Sequence, residues 1–153
     1  MFGFLKRKKN RFFRDDELEL ITKAIRSAEK ETSGEVRVFV EARCSWIDAI
    51  DRAKELFFSM KMDQTSDRNG TLVYVAMKDH QLAVFGDEGI HAKVGTEYWT
   101  QLVREMISCF SRDNYAEGIA GCVLRIGQAL KTHFPYQPGS DRNELPDEVA
   151  FGK

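Results

Sequence analysis

Two spacings of apolar residues alternate along the chain. Asp15 or Asp16 is expected to cap a first helix, whose apolar positions recur at helical spacing up to residues 32–34. Residues 35–42 instead alternate, with valines on one face and larger or charged side chains on the other. Helical spacing returns over residues 47–60. A strand, a helix and a second strand in this order predict a crossover with two parallel strands.

The middle of the chain predicts an antiparallel hairpin, because two β-branched and aliphatic runs flank a polar turn. The runs are residues 71–77 and residues 82–85. We expect the turn to close with Lys78 opposite Gln81, which places Leu72 opposite Asp87. Residues 86–89 then form a glycine-bounded loop at the far end of the hairpin.

This register gathers oxygen-bearing side chains at one end of the sheet. Parallel strands start at the same edge, so the first strand adds its own first residue to the group. The expected members are Asp67, Asn69, Asp87, Glu88 and Glu35. Hard divalent cations prefer oxygen ligands, so the pattern predicts a calcium or magnesium site. Two alternatives stay open: solvated loop carboxylates, and Arg68 as an internal counter-charge that makes a metal unnecessary.

The second half of the chain predicts two further helices, over residues 97–111 and 115–133. Glycine inside a helix costs about 1 kcal/mol against alanine, so Gly118, Gly121 and Gly127 are expected to permit close packing. The predicted fold class is a single-domain α/β/α sandwich. Its small mixed sheet has one parallel crossover and one hairpin, and helices flank the sheet.

The ends of the chain differ from its middle. Residues 1–13 form a basic leader, residues 14–134 the α/β domain, and residues 135–153 an extended acidic tail that Leu145, Val149 and Phe151 pin to the surface. The domain is long enough to bury a core, and 42% of the 153 residues are apolar. Tyr98, Trp99 and Trp46 are expected to pack in the core or at its rim.

The first fourteen residues carry six cations and no acid, although the whole chain has a net charge of −1. Such a leader, mixed with phenylalanines, could contact an anionic membrane surface or a protein partner. The alternative is a solvated leader whose phenylalanines pack on the domain. No basic patch with interleaved aromatic residues recurs later, which argues against nucleic-acid binding. The oligomeric state stays open.

The cellular compartment is predicted from the length of the apolar stretch before the basic residues and from the spacing of the cysteines. Only the short apolar stretch MFGFL comes before the basic run, and nowhere do eighteen apolar residues follow one another. We therefore expect a cytoplasmic protein without a signal peptide or a transmembrane segment. Cys44, Cys109 and Cys122 lack paired spacing, which favours buried thiols over disulfides or zinc.

Three stretches together resemble a known family. They are the helix before SGEVRVFVE, the segment DRNGTLVYVAMKDHQLAVFGDEGI, and the helical close REMISCFSRDNYAEGIAGCVLRIGQAL. The likeness covers roughly residues 12–134 and is to the TPM domain, a module shared by a thylakoid-lumen protein of photosystem repair and a receptor accessory protein. The ending NELPDEVAFGK is similar to a soluble bacterial subgroup of that family.

The resemblance implies a helix–sheet–helix sandwich, divalent-cation binding and, for some members, phosphatase activity. By position, the family's acidic loop residues fall on Asp67, Asn69, Asp87 and Glu88, and Asp113 matches an aspartate before the last helix. The leading hypothesis is therefore a domain that binds calcium or magnesium at these loops, with weak metal-dependent phosphatase activity. The alternative is a non-catalytic module for binding a protein or a membrane surface.

Hydrolysis of a phosphomonoester would need the cation to polarise the phosphoryl oxygen, and Arg68 could hold the phosphate. His91 could act as an acid or a base. The alternative is that it is a surface histidine at the start of a helix, with no chemical role. His80 lies on the hairpin turn, at the opposite end from the carboxylates. Ligands of parallel sheets usually sit at the carboxyl ends of the strands, which means near Glu41 and Asp79. No catalytic residue is assigned.

Overall fold

The computed structural model describes residues 12–44, 46–136 and 149–152, and in these ranges it contains five helices and four strands. In chain order they are α1 (Asp15–Glu29), β1 (Glu35–Glu41), α2 (Ala49–Ser59), β2 (Gly70–Ala76), β3 (Gln81–Gly86), α3 (Glu88–Val94), α4 (Thr96–Phe110), α5 (Tyr115–His133) and β4 (Val149–Phe151). Among these described helices, none is long and apolar enough to cross a membrane.

The strands form one mixed sheet in the order β3-β2-β1-β4. β1 runs parallel to β2 and to β4, and β2 pairs with β3 as an antiparallel hairpin. The predicted sandwich, crossover and hairpin are therefore confirmed. β4 was not predicted: it lies near the end of the segment expected to be an extended tail. Residues 137–148 of that segment, with Leu145, and residues 1–11 of the leader lie outside the described ranges.

Helices cover the two faces of the sheet unequally. α2 packs on one face, chiefly against β2 and β3, whereas α1, α4 and α5 form the layer on the other face. Every residue of β2 is buried, because this central strand has a helix layer on each side. The side chains of β1 alternate between the two faces of the sheet, as predicted. Its three valines contact the layer of α1, α4 and α5, and Phe39 packs towards α2.

The hairpin register differs from the prediction by two residues. Ala76, rather than Lys78, lies opposite Gln81, so Leu72 pairs with Phe85 instead of Asp87. The cause is the neighbouring strand: the amides of Met77 and Lys78 donate to the carbonyls of Glu41 and Ala42, at 2.8 and 2.7 Å. Because Met77 and Lys78 bond to the chain at the end of β1, they do not extend the hairpin. The turn is therefore longer than predicted, and it ends at His80, which has a φ of 54°. A slip of two keeps every side chain on its predicted face.

Three hydrogen bonds from Thr32 and Ser33 tie the end of α5 to the start of β1. The hydroxyl of Thr32 donates to the carbonyl oxygens of Leu130, at 3.0 Å, and of Phe134. The amide of Ser33 donates to the carbonyl of Phe134 at 3.1 Å. These bonds satisfy carbonyls that the end of a helix leaves unpaired. They also fix Ser33 at the edge of the sheet where β1 and β2 begin.

The first helix begins one residue earlier than the expected cap. Arg14 occupies the cap position with extended backbone, and its amide donates to the carboxylate of Glu17 at 2.9 Å. Asp15 and Asp16 instead lie in the first turn of α1. Acidic side chains are favourable there, because they interact with the positive end of the helix dipole.

The glycines of α5 do not share one role. A Cβ atom at Gly127 would lie 2.6 Å from Cα of Ala28 on α1, and one at Gly118 would lie 2.9 Å from Cβ of Cys109 on α4. These two glycines allow the close packing that the sequence predicts. At Gly121 a Cβ atom would meet nothing within 4 Å, so the packing explanation is wrong for that residue.

Gly127→Ala should therefore lower the free energy of unfolding by about 1–3 kcal/mol, the usual range for an overpacked core. The matched control is Gly121→Ala, which gains helix propensity in open space and should raise stability by up to about 1 kcal/mol. Urea unfolding followed by circular dichroism measures both. Equal effects of the two substitutions would contradict the close contact between α5 and α1.

Candidate functional site

An ion pair between the half-buried Arg68 and the buried Asp87 forms the centre of the predicted acidic edge. The guanidinium of Arg68 donates from Nε to Oδ2 of Asp87 at 2.7 Å and from Nη2 to Oδ1 at 2.8 Å. The side chain of Asp87 is only 3% exposed. This two-point hydrogen bond is the main cause of the raised pKa of Arg68, with charge attraction to the same carboxylate adding to it. The counter-charge anticipated for Arg68 is thus present.

Asp87 also holds the start of α3. It is the N-cap residue, and its Oδ1 accepts a hydrogen bond of 2.8 Å from the amide of Glu88. The amide of Asp87 donates to the carbonyl of Gly70 at 2.9 Å, and that of Gly89 to the carbonyl of Arg68 at 2.8 Å. The predicted loop after β3 is therefore the cap and first turn of a helix, fastened to the residues before β2.

Gly89 is required for this close approach. A Cβ atom at residue 89 would lie 2.1 Å from the carbonyl oxygen of Asp67 and 2.6 Å from that of Arg68. Any side chain would push the loop away from α3. Arg68 itself has a φ of 50°, a left-handed conformation that is uncommon outside glycine. The bonds to Asp87 and Gly89 hold it there.

Ser33 links the remaining predicted residues of the edge. Its hydroxyl donates to Oδ2 of Asp67 at 3.4 Å and accepts from Nδ2 of Asn69 at 3.3 Å. Asp67 is exposed and Asn69 is buried. Glu88 is 72% exposed and receives a hydrogen bond of 3.2 Å from Nη1 of Arg68. The two exposed carboxylates, of Asp67 and Glu88, thus adjoin the ion pair of Arg68 and Asp87.

Glu35 lies at the same edge, opposite Gly70 in the parallel ladder, and is buried. The structure therefore brings all five predicted residues to one end of the sheet. Sequence reasoning missed Asp63, whose charge also raises the pKa of Arg68, and Ser33. Both lie in connecting segments without periodic pattern, so nothing in the sequence marked them.

The arrangement is an ion-pair network more than a preformed cage. Across the described parts of the chain, no group of three histidine, cysteine, aspartate or glutamate side chains lies close enough to hold a metal ion together. Arg68 lies among the carboxylates that would otherwise face one another. Arg68 thus compensates part of the negative charge at this edge.

Other residues that the sequence singled out lie away from the edge or have other partners. Nδ1 of His91 accepts a hydrogen bond of 2.9 Å from Nε1 of Trp99, and His80 lies on the turn at the opposite end of the hairpin. Asp113 precedes α5, whereas the far end of that helix, about 28 Å away by its length, contacts Ser33. Neither His80 nor Asp113 joins the acidic group.

The aromatic and cysteine expectations are confirmed in part. Tyr98 and Trp99 pack against the core, but Trp46 is 99% exposed, so the packing expectation is wrong for that residue. Cys44 and Cys122 are buried and free, as predicted, and Cys109 is half-buried. Burial raises the pKa of the Cys122 thiol to about 12, which keeps this group protonated and inert at neutral pH.

A second polar network lies at the carboxyl ends of β1 and β2. Arg52 on α2 donates from Nε and Nη2 to the buried carboxylate of Glu41, at 2.9 and 3.0 Å, and the hydroxyl of Tyr74 donates to the same carboxylate. Oδ2 of Asp79 accepts from the amide of Cys44 at 2.9 Å, and this bond is the main cause of the lowered pKa of Asp79. The two ends of the sheet thus carry separate networks.

Comparisons with known proteins agree with this fold. The solution structure of BA42 protein from the psychrophilic bacterium Bizionia argentinensis superposes with a TM-score of 0.84 at 37% identity, and the match covers 95% of this chain and 99% of BA42. The N-terminal domain of a P. gingivalis protein superposes with a TM-score of 0.67 at 16% identity, over 83% of each chain.

The N-terminal domain of cg2496 protein from Corynebacterium glutamicum superposes with a TM-score of 0.64 at 9% identity, over 91% of this chain and 94% of that domain. The last two matches bear on the fold alone. No curated protein sequence matches the chain. The family model of the TPM domain matches residues 7–129, which include the first four helices, most of α5, the first three strands and the acidic edge. The chain therefore belongs to the TPM domain family.

Proposed function

We propose that this TPM domain binds a divalent cation, calcium or magnesium, weakly and at the acidic edge. One observation carries the proposal: the single guanidinium of Arg68 pairs with both Asp87 and Glu88, and Asp67 adjoins it in the chain. The charge of Asp63 also acts on this guanidinium. Carboxylates that outnumber their counter-charge repel one another, and an added cation relieves that repulsion. Their oxygen atoms are ligands that calcium and magnesium prefer.

The ligands would come from two groups. Asp67 and Glu88 are exposed, so their carboxylates can turn towards an ion without unfolding the edge. Asn69 donates from its amide nitrogen to Ser33, and its carbonyl oxygen would add a neutral ligand. Asp87 would bind only in competition with Arg68, which already takes both of its oxygens. This competition favours low affinity, in the millimolar range of weak calcium sites at about 10⁻³ M.

We do not extend the proposal to hydrolysis of phosphomonoesters. Arg68 is the residue that could hold a phosphate. Its Nε and Nη2 already donate to Asp87, and its Nη1 donates to Glu88. His91 accepts from Trp99 through Nδ1. When bound, the cation would supply positive charge to the edge, and the chain's own residues hold the loop before β2 against α3.

Calcium at about ten times its dissociation constant should stabilise the protein by about 1.4 kcal/mol. For a domain of this size, that corresponds to a rise in melting temperature of about 3–6 °C. Asp67→Asn and Glu88→Gln should each reduce the rise, because each removes an anionic ligand while keeping the size of the side chain. Differential scanning calorimetry of metal-stripped protein, with and without millimolar calcium, measures the effect.

Asp113→Asn is the matched control, since it removes the same charge at a distance from the edge. It should leave the calcium-induced rise unchanged. An equal rise in wild type, Asp67→Asn and Glu88→Gln would place the cation elsewhere on the molecule, and no rise in wild type would contradict the proposal itself.

Arg68→Met tests the competition between the guanidinium and the cation. Without metal, this substitution should lower the melting temperature, because the buried carboxylate of Asp87 loses its counter-charge. Calcium should then restore more stability than it adds to wild type. In the double variant Arg68→Met/Asp87→Asn both effects should largely disappear, because no buried charge remains to be compensated. Thermal unfolding of wild type, Arg68→Met, Asp87→Asn and the double variant completes the cycle, and purely additive effects would argue against coupling.

A further inference from the structure

The connection between β1 and α2 exposes a set of large apolar side chains. Trp46 is 99% exposed, and Ile47 and Ile50 are 38% and 40% exposed. A tryptophan without packing partners is unusual on a monomer, and neighbouring apolar side chains around it indicate a contact surface. These side chains follow the carboxyl end of β1, at the opposite end of the sheet from the acidic edge.

Two cavities meet at this residue. One, of about 310 Å³, is lined by residues that include Trp46, Ile47, Arg52 and Glu55. The second, of about 430 Å³, continues from the same two apolar residues to Asp48 and Asp79. The indole of Trp46 therefore borders both cavities. A bound segment could contact it while placing side chains on either side.

The surface around the indole of Trp46 carries net negative charge, even after the ion pairs among its residues are counted. Arg52 holds Glu41 and Glu55, and Arg43 donates to Asp79 at 3.0 Å. Asp48, the exposed cap of α2, adds a further carboxylate. An indole face attracts ammonium and guanidinium groups, and carboxylates at its border strengthen that preference. The chemistry selects a segment that carries both cations and apolar side chains.

The first eleven residues of this chain have that composition. They contain five cations, Lys6, Arg7, Lys8, Lys9 and Arg11, no acidic residue, and the apolar side chains of Phe2, Phe4 and Leu5. The charge of this segment is opposite to that of the surface around Trp46. Its phenylalanines match the exposed tryptophan and isoleucines.

The chain enters the described fold near the same end of the sheet. The ring of Phe12 stacks on Phe151, with 6.3 Å between ring centroids, and Phe13 is buried. Phe151 of β4 lies opposite Val40, one residue before Glu41 ends β1. Eleven residues span up to about 36 Å when extended, which is several times the spacing of about 10 Å between packed layers. The segment can therefore reach Trp46.

We propose that residues 1–11 of this chain dock on the Trp46 surface of the same molecule. The Trp46 surface consists of Trp46, Ile47 and Ile50 with the carboxylates of Asp48, Glu55 and Asp79. The lysines and arginines meet the carboxylates and the indole, and the phenylalanines cover the apolar side chains. The attraction is between charges at the protein surface, so salt screens it within about 10 Å at 0.1 M ionic strength.

Trp46 itself reports the contact. Trp99→Phe leaves Trp46 as the only tryptophan among the 153 residues, so its emission and its quenching by acrylamide can be measured directly. In this protein at low salt we expect blue-shifted emission and protection from acrylamide. Replacing Lys6, Arg7, Lys8, Lys9 and Arg11 by glutamine should shift the emission to the red and abolish the protection. Half-molar sodium chloride should do the same to the unmodified leader.

A second pair of variants changes the surface instead of the leader. Asp48→Asn combined with Glu55→Gln should also abolish the protection of Trp46, with all five cations still present. The matched control is Glu97→Gln combined with Glu117→Gln, which removes the same charge from the first turns of α4 and α5 and should leave Trp46 protected. Circular dichroism and melting temperature confirm that each variant is folded.

Three results would overturn the proposal. Equal quenching of Trp46 by acrylamide with the unmodified leader and with the glutamine-substituted leader would show that no segment is docked on it. Protection that increases with protein concentration would assign the contact to a second copy of the chain. Protection that requires added vesicles of anionic phospholipid would assign the leader to a membrane surface.

Discussion

The buried carboxylate of Asp87 is the group on which the arrangement of the acidic edge depends. It accepts two hydrogen bonds from Arg68 and one from the amide of Glu88, so one side chain neutralises a guanidinium and caps a helix. A buried carboxylate without these partners would be strongly unfavourable. The loop before β2 and the start of α3 are thereby held together, and Gly89 supplies the space that this contact needs.

Each end of the sheet holds a buried carboxylate that is paired with an arginine, and the residues differ between the two ends. At one end Arg68 pairs with Asp87, and at the other Arg52 pairs with Glu41, in each case through two guanidinium nitrogens. Bidentate arginine is suited to both places because its planar fork matches a carboxylate. The ends differ in what surrounds the pair: exposed carboxylates at the first, and an exposed tryptophan with two cavities at the second.

Sequence reasoning captured the parts of the fold that depend on periodicity. The first strand, the crossover and the bounds of the last helix follow from apolar spacing alone, and the five acidic-edge residues were gathered correctly because parallel strands start together. The hairpin register was two residues off, since the amides of Met77 and Lys78 pair with the ladder of β1. That competition is a tertiary effect, which local turn chemistry cannot reveal.

Features that depend on distant partners were the ones missed. β4 is three residues long and pairs with β1 from the other end of the chain, so its own pattern is too short to identify it. Asp63 and Ser33 contribute to the acidic edge from connecting segments. Trp46 was expected to pack because tryptophan usually does, and only the three-dimensional arrangement shows that no described element covers it.

The most direct measurement for the central claim is a calcium titration followed by amide chemical shifts in ¹H–¹⁵N NMR spectra. Binding at the acidic edge predicts saturable shifts confined to residues 67–70 and 87–89, with the amides of residues 78–81 at the other end of the hairpin unchanged. Shifts centred on residues 78–81, or the absence of any saturable shift at the acidic edge, would contradict it.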